Sequence, residues 1–140
     1  METVQQAIIM NTKGELLLLK CGKSFGKDLA GKWEFPNGFL DEDEKPEEDL
    51  KNEVKELTGL EIDIIYQFFS SIMKEGKAEL LNVAYLCRLK GPAKIKLHED
   101  YEEAKWIKAN EIKKLKVTNS QVLEMAEKAI AVLGGGGAEE

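Results

Sequence analysis

At 140 residues the chain is long enough for one hydrophobic core and short of two. Hydrophobic residues make up 43% and charged residues 33%, the mixture of a folded globular domain, and a net charge of -6 argues against a protein that coats nucleic acid through a basic surface. No apolar run reaches the roughly 20 residues that span a bilayer, and the start "METVQQAIIMN" lacks a basic, cleavable leader pattern, so a cytoplasmic location without a membrane partner is expected.

Two short apolar runs, Val4 to Met10 and Leu16 to Lys20, flank "NTKGE", where Asn11 and Gly14 supply turn chemistry, so an antiparallel hairpin is expected. From Cys21 to Lys32 follows a loop with three glycines (Gly22, Gly26, Gly31) and three lysines (Lys23, Lys27, Lys32). "KWEFP" reads as a short strand stopped by Pro36, with Asn37-Gly38 turning the chain because both residues tolerate positive φ. Pro46 to Thr58 carries a proline in its first turn, three acidic residues against the positive end of the dipole, and Gly59 just past its end, which predicts a helix. The β-prone runs Ile62 to Met73 and Ala78 to Leu89, joined by "KEGK", predict a second hairpin. After the acidic loop "HEDYEEA" come a short run "KWIKA", a small helix near Asn110 to Leu115, and a last helix from Thr118 to about Leu133. This order predicts an α/β domain over residues 1–133, a mixed sheet with helices on both faces, followed by a flexible Gly-rich tail over 134–140. The two cysteines, Cys21 and Cys87, sit in apolar runs without metal spacing and read as buried hydrophobes.

Helical periodicity gives Pro46–Thr58 an apolar stripe of Leu50, Val54 and Leu57, and places Asp49, Glu53 and Glu56 together on another face. Like charges three and four residues apart repel, so the helix gains nothing locally from this cluster. It is either a solvated acidic face or the wall of a site where a hard divalent cation meets a phosphorylated ligand.

Gly38, Glu44, Glu53, Val54, Glu56, Gly59 and Leu60 stand at the separations of G-x5-E-x7-R-E-U-x-E-E-x-G-U, where U is aliphatic. The segment resembles the Nudix box, and "WEFPNG" is similar to the W-x-F-P-G-G approach that precedes it in that family. The late "EEAKWIKANEI" is similar to another family region, so the likeness spans nearly the whole chain. It implies a Nudix α/β/α sandwich and hydrolysis of a nucleoside diphosphate linked to another group, with Mg²⁺ or Mn²⁺ as cofactor. Two positions depart from the box: Asn52 stands for its arginine, removing a guanidinium fork, and Leu57 stands for the second glutamate of its pair, removing one carboxylate.

Carried over residue by residue, the resemblance implies Glu53 and Glu56 as catalytic and metal-holding carboxylates, joined by the main-chain carbonyl of Asn37. Gly38 and Glu44 are supporting positions, as is Asp49, which shares the helix face. Glu99 and Asp100 in the acidic loop are candidates for a further ligand or base. Lys32 is a candidate for phosphate contact, and Asn119, just before the last helix, for contact with a base or for a helix cap. The compact length resembles MutT-like nucleoside triphosphate pyrophosphohydrolases, and the implied partner is a small-molecule nucleotide, with no nucleic-acid polymer. The alternative is a Nudix-fold nucleotide-binding or regulatory module that has lost turnover along with the residues replaced by Asn52 and Leu57. Nothing in the pattern fixes the oligomeric state.

Overall fold

The computed structural model describes residues 1–137. Seven strands form one mixed sheet: β1 (Glu2–Met10), β2 (Glu15–Cys21), β3 (Trp33–Glu34), β4 (Asn37–Phe39), β5 (Ile62–Glu75), β6 (Ala78–Leu89) and β7 (Tyr101–Lys108). Helix α1 covers Pro46–Thr58 and α2 covers Ser120–Gly137. No helix among the described residues is long and apolar enough to cross a membrane.

The sheet is organised by the parting of its first two strands. β1 and β2 pair antiparallel at Met10 and Leu16 and then diverge. β1 runs parallel to β6 along its length and takes β4 antiparallel at Val4 to Gln6. β2 pairs with β7 along its length and with β3 at Leu19 and Lys20. The expected first hairpin is therefore closed only near its turn, and its arms serve as the axes of two halves of the sheet.

Both faces of β1 and β2 are covered, which is why their apolar runs are continuous rather than alternating. Ala7, Ile9, Leu17 and Leu19 pack with Leu50, Val54 and Leu57 of α1, whereas Ile8, Leu16 and Leu18 pack with Val122, Met125 and Ala129 of α2. The result is the α/β/α sandwich expected from the resemblance. Helix α1 starts with Pro46 and three acidic side chains in its first turn, and stops where Gly59 takes φ 75° and returns its N–H to Lys55 O.

Two local expectations need correcting. Asn37 and Gly38 do not turn the chain; neither has positive φ, and both lie in β4, because pairing with Gln6 and Gln5 of β1 extends them. The strand after the acidic loop begins at Tyr101, inside "HEDYEEA", since β2 supplies a long partner for it. The small helix expected near Asn110 is present, as a 3-10 helix over Ala109–Lys114. Of the expected tail, 134–137 continue α2, and 138–140 lie outside the described residues.

Leu57 is only 8% exposed and belongs to the core beneath α1. Restoring the family carboxylate there would bury a charge among aliphatic side chains. Leu57→Glu is expected to lower unfolding free energy by on the order of 3 kcal/mol in denaturant titration, and Leu57→Met by less than about 1.5 kcal/mol.

Candidate functional site

The acidic helix meets the sheet at one point of close contact. A Cβ placed on Gly38 would lie 2.6 Å from Glu53 Cδ and 2.7 Å from Glu53 Cγ, so the Glu53 side chain rests directly on the Gly38 backbone. Glycine is needed here for space and not for its conformational freedom. Strand β4 holds Gly38 through β1, and Leu50 and Val54 hold α1 on the same sheet, so two rigid elements fix the position of the Glu53 carboxylate.

Burial holds the Glu53 carboxyl above the usual carboxylate range, the carboxylates of Glu56, Asp49 and Asp41 add to this, and His98 acts in the opposite direction. The structure thus brings Asp41, Asp49, Glu53 and Glu56 into one negative field. Asp49 is partly engaged, its Oδ2 accepting the Asp41 N–H at 3.1 Å and pinning the loop that enters α1. Glu56 is exposed and shares a shallow cavity with Lys55, His98 and Glu99. Asp100 ties the acidic loop to the glycine-rich loop: Oδ1 accepts from Ser24 Oγ at 3.1 Å, and its carbonyl accepts from Gly22 N–H at 2.9 Å. Glu44 is exposed, with its N–H bonded to Asp41 O.

A separate cleft of about 580 Å³ has walls that include Phe25, Phe39 and Val122 and polar groups that include Gln6, Glu34, Asn37 and Asn119. Asn119 stands at this cleft and also caps α2, its Oδ1 accepting the Gln121 N–H at 3.0 Å. The Asn37 side chain bonds back to Phe35 O at 2.8 Å. Lys32 lies outside the cleft lining, its main chain bonded to Cys21 and Leu29.

Two polar residues of the cleft escaped the sequence reading. Glu34 accepts a 2.7 Å hydrogen bond from Tyr101 Oη, and burial holds its carboxyl above the usual range despite the lowering effect of Tyr101, Asn37 and Thr118. The available signal was a charged residue between two core aromatics, Trp33 and Phe35. Gln6, 6% exposed, is likewise a polar residue inside the apolar β1. The cysteines bring no chemistry to the site, since burial pushes both thiols up to about 12.

Among the described residues no group of three or more His, Cys, Asp or Glu side chains converges as a metal cage. Mg²⁺ does not require one, because it keeps several waters and binds through one or two carboxylates together with substrate phosphates. The unneutralised repulsion around Glu53, which Glu56 adds to, and the oxygen donors of these two side chains fit such an ion.

A family model described as NUDIX domain matches residues 3–126. No curated protein matches the chain. Among solved structures, the E. coli ORF135 protein is similar with TM-score 0.80 and 22% identity, covering 94% of this chain and 89% of that one. The MutT protein from Methanosarcina mazei Go1 has TM-score 0.79 and 22% identity, covering 91% of each chain. A C. elegans Ap4A hydrolase has TM-score 0.79 and 18% identity, covering 96% of this chain and 99% of that one.

Because the folded-state value of Glu53 lies above its unfolded value, this residue favours folding most when protonated and opposes it as pH rises through the folded value. Without metal at pH 7, Glu53→Gln should melt above the wild type, with the gap shrinking as pH falls below the ordinary carboxylate range. Mg²⁺ should raise the wild-type Tm more than that of the variant. A variant melting below the wild type at pH 7 would contradict the assignment of an unrelieved charge at this position.

Proposed function

The chain belongs to the Nudix family of hydrolases, and we propose that it is a metal-dependent, MutT-like pyrophosphohydrolase that cleaves a nucleoside triphosphate or another nucleoside diphosphate-linked substrate. The observation that carries this reading is the seating of Glu53 on Gly38, which fixes a carboxylate among like charges on a rigid helix face, in a chain that also holds a cleft of about 580 Å³. The family membership supports the reaction class, and the likeness to a structure described as an Ap4A hydrolase supports a phosphoanhydride as the bond attacked.

Glu53 and Glu56, with the Asn37 carbonyl, would hold the ion. When bound, Mg²⁺ or Mn²⁺ neutralises phosphate charge and polarises a phosphoryl oxygen. Glu53 accepts the proton of the attacking water in this reading. Glu99, sharing the shallow cavity with Glu56, is the second carboxylate in reach of that role. Asp49 keeps the entry loop in place and Asp100 holds the acidic loop against the glycine-rich loop, so both act by positioning. The base of the nucleotide enters the cleft beside Asn119.

A second reading is a nucleotide-binding or regulatory module without turnover, favoured by Leu57, whose place in the core leaves the site one family carboxylate short. Phosphate and pyrophosphate release from nucleoside triphosphates, nucleotide sugars and dinucleotides with Mg²⁺ or Mn²⁺ separates the two. The hydrolase reading predicts metal-dependent turnover that falls at least about 100-fold in Glu53→Gln. Binding without turnover across the panel would establish the module instead.

A further inference from the structure

A one-way chain of amides runs through the protein beneath the cleft. Gln121, in the first turn of α2, donates from Nε2 to the main-chain carbonyl of Ile72 at 3.4 Å, an acceptor that cannot reverse. Its Oε1 therefore faces inward and accepts from Asn82 Nδ2 at 2.7 Å. Asn82 is fully buried, and the same amide nitrogen lies 3.8 Å from Met125 Sδ, so both of its N–H groups point toward α2. Asn82 Oδ1 must then face the other way, where it accepts from Gln6 Nε2 at 3.0 Å. Each link fixes the next, because an amide flipped at any step would set donor against donor or acceptor against acceptor.

The chain ends at Gln6, whose nitrogen is turned away toward Asn82 and whose side chain lines the cleft. Among the described residues Oε1 of Gln6 has no hydrogen-bond partner, yet no side-chain polar atom is both buried and unpartnered. This oxygen therefore keeps some accessible surface, and the cleft is the space that the Gln6 side chain lines. We propose that Gln6 is a specificity-determining residue, an acceptor aimed by Asn82 and Gln121 that selects a nucleotide whose base carries an amino group over the analogue without it. Gln121 and Asn82 are positioning residues in this arrangement, since neither lines the cleft. The inference rests on the reading that a nucleotide base occupies the cleft, and it does not require that the nucleotide be hydrolysed.

Calorimetric binding of non-hydrolysable α,β-methylene triphosphates tests it, comparing the cytosine compound with the uracil one, and the adenine and guanine compounds with the hypoxanthine one. The wild type should favour the amino-bearing member of the pair it binds best by about tenfold, the size expected for one hydrogen bond to an otherwise unpaired group. Gln6→Leu should abolish the preference while leaving triphosphate affinity largely intact. Gln121→Lys replaces the inward acceptor by a donor at the partly exposed end of the chain, so Asn82 and Gln6 should turn over and the preference should vanish or reverse. Persistence of the preference in both variants, absence of any preference in the wild type, or failure of every nucleotide to bind would overturn the proposal. Turnover of native triphosphates without base preference would remove this inference and leave the hydrolase reading intact; base preference without turnover would do the opposite.

Discussion

The contact between Gly38 and Glu53 is the constraint on which the rest of the site depends. Glu53 can lie where it does only because Gly38 has no side chain, and Gly38 is held there only because β4 is hydrogen-bonded to β1. β1 in turn carries β6 along its whole length and contributes to the cores beneath both helices. A displacement of α1 or a slip of β4 by one residue would therefore be felt at the Glu53 carboxylate, and two-residue periodicity would bring Asn37 or Phe39 against it instead.

The local price of this arrangement is electrostatic. Burial and three neighbouring carboxylates oppose the charge on Glu53, and no cationic side chain forms a salt bridge with it among the described residues. Clustering these acids on a rigid helix face costs stability, which is the pattern expected of a functional site. The same helix keeps its stability on its other side, where Leu50, Val54 and Leu57 are buried against the sheet. Leu57 shows the two demands meeting at one position, with an aliphatic side chain strengthening the core where the family box has an acid.

Helix α1 was legible from Pro46 and the acidic first turn through to Gly59, because caps, dipole and apolar stripe all agree there. The box spacing then singled out Gly38, Glu53 and Glu56, of which the structure brings Gly38 and Glu53 into contact, and the sheet with a helix on either face followed from the order of the elements. Strand β4 was hidden because Asn-Gly favours turns locally, and only pairing with β1, a distant segment, extends it. The early start of β7 was hidden for a similar reason, acidic residues reading as loop until β2 provides a partner. Glu34 and Gln6 were not legible as cleft groups, since a polar residue within an apolar strand reveals neither which face it takes nor what it meets. Their partners, Tyr101 and Asn82, lie far along the chain.

The most direct test of this account is the kcat/KM of Gly38→Ala on whichever substrate the wild type turns over. The added methyl would meet the flexible end of Glu53 and not backbone, so the fold should persist while the carboxylate is displaced. The account predicts an unchanged circular dichroism spectrum and a loss of activity of at least about 100-fold. Wild-type kcat/KM in a correctly folded Gly38→Ala would contradict it, because the position of Glu53 on Gly38 would then have no bearing on the chemistry.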